Sequence, residues 1–518
     1  MSSEYPVVRC LAKIPSDWHG RTIFASAAGN LSFAGLREGM LRVAGWLAAS
    51  QNVRAGDRVA ICLPKSLETV QAIYGILAAG AAYVPLQFQG PAARLRSVLD
   101  SIRPRVLLTT TEMAMRLTAG GDGLTLPPIQ ILEADKGASA FEHLLAGMPA
   151  AKSVADVGAN DLAAVFFTSG STGEPKGVMW SHRGMAAATA ALPRWGRMTE
   201  HDRLISLAGL HYAASADVFY PLFGGSGSYL LADRETMFPS HIAEVMERDR
   251  TTIWSSSATA LRLLGEGGNL DQRDLRALRR VEIYGEPMPI LALRKLMGAL
   301  PRTKFFNLYA ASEAFDMAEY PVPRPIPEGV TALPLGLPSS IYGLTLHDDG
   351  GAEVARGQIG EIVVDGPSVL LGYWKDPELT ATKRIAGRAD SYRTGDLAFF
   401  GEDGLLHLVG RKDQVVKLRG HRFDLGEIEA LLKTHPAVRE AVVFSIPGGS
   451  GESEVAAAVL SDRGDSLESE LRRLCARRLP SFARPTRTAV LTEFPLLSTG
   501  KVDRRALKTV ITANNTAT

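Results

Sequence analysis

A run of small, hydroxylated and glycine residues, Thr168-Ser-Gly-Ser-Thr-Gly-Glu-Pro-Lys-Gly177, directly follows the apolar stretch Leu162-Ala-Ala-Val-Phe-Phe167. Closely spaced glycines let backbone N–H groups converge on an anion. The hydroxyls of Thr168, Ser169, Ser171 and Thr172 add donors, and Lys176 adds a positive charge. This is equipment for holding a polyphosphate. It is not a Walker A loop, because Pro175 stands five residues after Gly170 where that pattern needs Gly-Lys-Ser/Thr. A second feature is a charge in isolation: between Leu204 and Ala232 the only Asp, Glu, Lys or Arg is Asp217. The stretch is long enough for a bilayer of ~30 Å, but His211, Pro221 and scattered glycines and serines break its apolar character. It reads as buried core, and a buried carboxylate without a partner is costly.

The elements that must position these residues alternate. Arg58–Leu63 predicts a short strand, Ser66–Ala79 carries a helical apolar period, and Ala82–Leu86 and Arg105–Thr109 are strand-like again. This β–α–β rhythm predicts a mainly parallel sheet covered by helices. Near residue 400 the texture changes. Short strands at Leu405–Val409 and Gln414–Leu418 flank the polar Gly410-Arg-Lys-Asp413, and a compact α+β region is expected after them. There Leu467, Leu471, Leu474, Cys475 and Leu479 fall on one helical face, with Asp465 and Glu468 spaced as a capping box. The expected fold class is α/β: a large N-terminal domain of layered sheets and helices over 1–412, then a small mobile α+β domain over 413–518. Residues 512–518 read as a disordered tail.

Composition narrows the class of protein. Apolar residues make up 46% of 518, enough for a large core. Lys plus Arg total 57 against 55 for Asp plus Glu, and that near-balance argues against nucleic-acid binding through a global basic field. Cys10, Cys62 and Cys475 are too few and too scattered for a disulfide framework or a cysteine metal site. With neither a basic n-region nor an apolar h-region at Met1-Ser-Ser-Glu-Tyr-Pro6, no signal peptide is expected, and the reading is a reduced, cytoplasmic protein with no membrane partner.

Further motifs follow the glycine-rich loop in order. Thr168–Gly177 resembles the signature loop of the acyl-adenylating (AMP-forming) superfamily. Asn307-Leu-Tyr-Ala-Ala-Ser-Glu313 resembles its N-x-Y-G-x-[ST]-E, with Ala310 where glycine is usual, and Tyr392-Arg-Thr-Gly-Asp396 is an intact Y-R-T-G-D. Gly410–Asp413, Lys417-Leu-Arg-Gly420, Leu425-Gly-Glu-Ile-Glu429 and the terminal Ser498-Thr-Gly-Lys-Val-Asp-Arg504 are similar to the adenylation domains of nonribosomal peptide synthetases, as is Leu77–Pro85. The likeness covers nearly the whole chain.

This resemblance implies ATP and Mg²⁺ as cofactors and a set of roles. Thr168, Ser169, Gly170, Ser171, Thr172, Gly173 and Lys176 would hold the β- and γ-phosphates, Ser312 would touch the α-phosphate, and Glu313 would ligate Mg²⁺. Tyr309 would stack on adenine, with Gly285 in the same nucleotide site. Asp396 and Arg411 would contact the ribose. Lys501 would bridge the reacting carboxylate and the α-phosphate, making it, with Glu313 and Lys176, the catalytic set. Asp413 occupies the hinge position between two conformations, and Gly420 would line the tunnel for the attacking thiol.

The acid is less conventional. Domains for α-amino acids carry F-D-x-S, whose aspartate pairs with the α-ammonium; here His211 and Tyr212 stand at its first two positions. Displaced carboxylates, Asp217 and Asp316, are expected to face the substrate instead, with Ala216, Ser255, Ile283, Leu308 and Met317 completing the lining. A buried carboxylate wants a cation, and a substrate ammonium would serve. The expectation is therefore activation of an amino acid, β-amino or otherwise non-standard, followed by transfer to the phosphopantetheine thiol of a separate carrier protein. Arg472, Arg473, Arg477 and Arg478 would offer that acidic partner a basic face. His211 also resembles a histidine of acyl- and aryl-CoA ligases, so a non-amino acid with coenzyme A as acceptor is the competing reading. A non-catalytic nucleotide-binding relative is the remote one.

Overall fold

The computed structural model describes residues 6–88, 90–119, 126–132, 145–169, 175–194, 198–412, 415–418, 421–447, 453–464, 466–479, 483–497 and 502–513. The chain divides into two compact units. The first comprises Met1–Thr345, Val363–Arg393 and Gly404–Leu406; the second comprises Leu346–Ile362, Thr394–Asp403 and His407–Thr518.

Helix Phe33–Ser50 (α1) opens the first unit's layered core, followed by Arg58–Cys62 (β1), Leu67–Ala78 (α2), Ala82–Pro85 (β2), Val106–Thr109 (β3), Ile129–Ile131 (β4), Leu162–Ser169 (β5) and Pro175–Ser181 (β6). The sheet order is β6-β5-β2-β1-β3-β4, with Gly372–Tyr373 outside β6. Strands β5, β2, β1, β3 and β4 run parallel, while β6 returns antiparallel to β5. Residues 59–62 and 106–109 are buried without alternation, as strands with both faces covered must be. Ser66 caps α2, its Oγ accepting from the Thr69 N–H at 3.2 Å. The contact between α1 and α2 depends on Gly75, where a Cβ would lie 2.3 Å from Cγ1 of Val43.

A second sheet in this unit places the acid pocket. It contains Arg203–Ser206 (β7), Gly227–Leu230 (β8), Ile253–Ser257 (β9), Arg280–Tyr284 (β10), Lys304–Ala311 (β11) and Ala314–Pro321 (β12). They are ordered β12-β11-β10-β9-β7-β8, with Thr22–Ser26 and Gly29–Ser32 beyond β8 and Leu337–Pro338 beyond β12. Alternation along these strands separates two environments. Trp254, Val281, Ile283 and Phe305 join Ile242, Leu261 and Leu293 of the covering helices in one apolar cluster. Ile253, Ser255 and Glu282 line a cavity instead. The charge-poor stretch 204–232 folds as strand, 3₁₀ turn, short helix and strand, and no described helix is long and apolar enough to cross a membrane.

One buried carboxylate ties three parallel strands together. Asp202, before β7, accepts from Arg279 Nε and Nη2 (2.7 Å each), from Thr252 Oγ1 (2.7 Å) and from the Thr199 N–H (2.7 Å). Thr252 precedes β9 and Arg279 precedes β10. Burial pushes the Asp202 carboxyl up, but the bonds from Arg279, Thr252 and Thr199 outweigh it and hold the group below its ordinary value. Asp202→Ala should therefore lower unfolding stability by ~2–4 kcal/mol at neutral pH, measured by urea titration. A depressed carboxylate stabilises at neutral pH and loses its contribution as pH falls through its folded value, so the gap between wild type and variant should narrow in acid.

The second unit holds Ser391–Phe400 (β13, from Thr394) and Leu406–Arg411 (β14, from His407). Its α+β part comprises Leu425–Lys433 (α3), Glu440–Pro447 (β15), Ser453–Leu460 (β16), Ser466–Arg478 (α4), Arg487–Leu491 (β17) and Arg504–Ala513 (α5). Leu467, Leu471, Cys475 and Leu479 of the predicted stripe enter the core with Ile428, Val443 and Val459; Leu474 is half-buried. Asp465, half of the expected capping box, lies outside the described residues, as do 514–518.

Candidate active site

The phosphate-loop residues flank a hairpin. Thr168 and Ser169 end β5, Lys176 lies on β6, and Thr168 pairs directly with Lys176 across the neck. Gly170, Ser171, Thr172 and Gly173 lie outside the described residues. The motif 307–313 fills β11 and its turn. Tyr309 is buried on the strand, and Ser312 and Glu313 form the two-residue turn into β12. Trp180 on β6 fixes that turn by donating from Nε1 to the Ser312 carbonyl at 3.1 Å, while its ring packs against Phe315 at 4.2 Å between centroids. The Tyr373 hydroxyl donates to Glu313 Oε1 at 2.9 Å. One carboxylate oxygen is thus oriented by the protein. The register of β11 against β12 shifts at Ala310, but no positive φ falls on it, so alanine fits there; the positive φ of this hairpin, 24°, falls on Asp316. Gly285 directly follows β10 with φ +85°, a conformation that favours glycine and brings bare backbone to the strand end.

In the second unit Asp396 and Arg411 come together, Nη1 to Oδ1 at 3.1 Å. The next residue, Lys412, is anchored by its Nζ to Asp349 (2.9 Å) and Glu361 (3.3 Å). Paired guanidinium and carboxylate present donors and acceptors side by side, as recognition of two vicinal hydroxyls requires. Asp413, Gly420 and Lys501 lie outside the described residues.

The acid-side residues cluster in the first unit, on the 3₁₀ turn Ala213–Phe219 and the sheet it covers. The His211 and Tyr212 rings lie against each other, tilted by 40°, at 4.0 Å between centroids. Burial, then the Arg94 charge, lowers the His211 imidazole to about 4, so it is neutral; its Nε2 is sealed with no partner among the described residues. Ala216 is buried on the turn, and Leu308 and Met317 are buried on β11 and β12. Asp217 lines a cavity of about 20 Å³ with Met198, Leu204, Tyr220, Ser255 and Glu282. The residue as a whole keeps some exposure, but its Oδ1 is closed to solvent and carries no hydrogen bond among the described residues. Burial raises the Asp217 carboxyl to about 6 despite the opposing Lys65 charge, the Ser206 hydroxyl and the Val218 N–H. Asp316 belongs to the same neighbourhood. Burial first, then the charges of Asp316, Asp217 and Glu282, push the Tyr220 phenol well above its ordinary value, and the same three carboxylates act on Tyr284.

Two residues here escape the sequence reading, and one changes face. Ile283 packs into the apolar cluster behind the sheet, while its neighbour Glu282 lines the cavity opposite Ser255, its partner in register. A one-residue shift in a strand exchanges the faces, and the alternation Val281-Glu-Ile-Tyr284 was the available signal. Arg280 holds Glu282 by an Nε–Oε1 bond of 2.6 Å. The other missed residue is Lys65. Almost wholly buried between β1 and α2, it supplies Asp217 with a cation from within the protein.

Comparison with known proteins places the chain in a family. Residues 12–374 match the AMP-binding enzyme family and residues 427–501 match the AMP-binding enzyme C-terminal domain. The chain is 35% identical over 492 residues to phenyloxazoline synthase MbtB of Mycolicibacterium paratuberculosis, covering 94% of this chain but 40% of that protein. Its match to tyrocidine synthase 2 of Brevibacillus parabrevis, at 30% identity, takes in 97% of this chain and only 14% of that protein. It is 34% identical to an L-proline–[L-prolyl-carrier protein] ligase of Streptomyces coelicolor, over 88% of each chain. Among solved structures, ATP-bound MatB from Rhodopseudomonas palustris superposes with a TM-score of 0.86 at 25% identity, over 98% of this chain and 99% of that one. On the match across most of its length, the chain belongs to the AMP-binding enzyme family.

Proposed function

We propose that the protein activates an amino acid as its acyl-adenylate, using ATP with Mg²⁺ and releasing pyrophosphate, and then passes the acyl group to the phosphopantetheine thiol of a separate carrier protein. The observation that carries the amino acid is Asp217: a carboxylate with a sealed, unbonded oxygen in a small cavity suits an ammonium donor. Tyr212 leaves the usual aspartate position without a charge, which favours an amino group placed elsewhere than the α-carbon, as in a β-amino acid. Among the described residues no three or more His, Cys, Asp or Glu side chains gather around a metal position. One oriented carboxylate, Glu313, fits a cation that arrives on the nucleotide phosphates and keeps several waters.

Bound Mg²⁺ offsets phosphate charge, so that an anionic carboxylate can approach the α-phosphate. The chain's own residues do the rest. Lys176 and the loop backbone neutralise and align the outer phosphates, Ser312 steadies the α-phosphate, and Tyr309 and the Asp396–Arg411 pair hold the nucleoside. Lys501 bridges the two reacting anions. The lid of the proposal is 413–518, turning at Asp413 so that the thiol enters along Gly420. On α4 the side chains of Arg472, Arg473, Arg477 and Arg478 are all exposed, as a docking face for an acidic carrier would need.

Substrate-dependent pyrophosphate exchange across α-amino, β-amino and aryl acids tests this reading. Exchange is expected with an amino acid whose amine reaches Asp217, at least ~10-fold above its desamino analogue. Exchange only with non-amino acids, with transfer to coenzyme A and never to a carrier, would replace it with the ligase reading that the neutral His211 suggests. No exchange with any acid would leave a nucleotide-binding protein.

A further inference from the structure

We propose that Lys65 is a positioning residue of the acid pocket: through Ser206 it holds Asp217 as an oriented anion, so that a residue just past the end of an interior strand of the other sheet sets the strength of amine recognition. The inference rests on the amino-acid reading above, with Asp217 as the amine's partner.

The geometry joins two buried side chains, Lys65 and Ser206, to the half-buried Asp217. Lys65 leaves the segment between β1 and α2 and donates from Nζ to the Ser206 carbonyl at 2.9 Å and to Ser206 Oγ at 3.2 Å. An ammonium has no acceptor to offer, so the Ser206 hydroxyl receives on its lone pair and its own proton is free for the Asp217 carboxylate. Lys65 and Ser206 are 5% and 1% exposed, so their contact is shielded from bulk solvent. Burial lowers the Lys65 ammonium to about 8, opposed by Asp217, Asp233 and Glu235. It remains charged at neutral pH, and the two groups support each other's ionised forms. Glu282 and Asp316 in the same neighbourhood are like-charged, and Tyr220 and Tyr284 are phenols held neutral there. Lys65 is the cation that acts on Asp217, and with the Ser206 hydroxyl and the Val218 N–H it favours the anion that a substrate ammonium would meet.

Lys65→Met keeps the chain length and removes the charge. In pyrophosphate exchange with the preferred amino acid, KM for that acid should rise roughly tenfold at pH 7, with kcat changed less than about threefold. The acid limb of kcat/KM should move up by about one pH unit, because Asp217 then ionises without its cation. Ser206→Ala, which keeps the charge and loses the relay, should move the limb in the same direction by less. A structural role alone would lower the melting temperature and leave the limb in place, and that result overturns the proposal. Should Lys65→Met fail to fold, Ser206→Ala decides the matter, an unmoved limb again counting against it. Asp217→Asn separates the two readings. If it changes neither specificity nor the limb, the amine-anchor reading fails; if it does and Lys65→Met does not, only the role of Lys65 fails.

Discussion

Asp217→Asn should cut kcat/KM for the amino acid by roughly 10²–10³-fold in pyrophosphate exchange while leaving adenylation of a desamino analogue within about threefold. The substitution keeps shape and removes charge. On the proposed reading the ammonium would meet a carboxylate whose Oδ1 is shielded from water, so the contact would be weakly screened and the unpaired alternative expensive. An amide cannot neutralise an ammonium, and the substrate would lose its hydration without recovering it. The pH profile gives an independent check. A carboxyl raised to about 6 must lose its proton before it can accept the amine. The wild-type kcat/KM should therefore fall as pH drops through about 6, and Asp217→Asn should abolish that limb. Equal losses for amino and desamino acids would mean that Asp217 shapes the pocket rather than recognising the amine.

Glu313→Gln should lower kcat by about 10²-fold or more, with little change in KM for the acid. Its turn is held from two sides, by Trp180 on the Ser312 carbonyl and by Tyr373 on Oε1. The amide keeps size and hydrogen bonding and loses the negative charge that a divalent cation needs. Exchange activity should then require a higher Mg²⁺ concentration, read by titrating Mg²⁺ at fixed ATP. Tyr373→Phe, which leaves the carboxylate but frees its rotation, should cost about tenfold. An unchanged Mg²⁺ dependence in Glu313→Gln would assign the cation to other groups.

The strand that leads into the phosphate loop was legible in the chain as the apolar run Leu162–Phe167, and the structure extends it to Ser169. That the chain returns as a second strand, with Thr168 paired to Lys176, was decided by the backbone pairing of the sheet. The strands around residues 58–109 were legible for a similar reason. Parallel strands buried on both faces are short continuous apolar runs, and their observed limits fall within two residues of those expected. The parity of residues 281–284 was harder. Apolar and polar side chains alternate there, but only the position of the covering helices says which face is core, and Ile283 went to it while Glu282 went to the cavity.

The sequence by itself determined the family, the order of the motifs, the lone carboxylate in a charge-poor stretch and the need for a cation beside it. Which cation, and from where, was a tertiary decision. Lys65 and Asp217 are far apart in the chain, and Lys65 sits in an otherwise ordinary strand-to-helix connection. Nothing local marks it as buried. It is driven inside because the end of β1 in one sheet meets β7 of the other, where Ser206 offers two acceptors and Asp217 an opposite charge. Electrostatics in a low-dielectric interior depends on distance through space, and distance through space is what packing supplies.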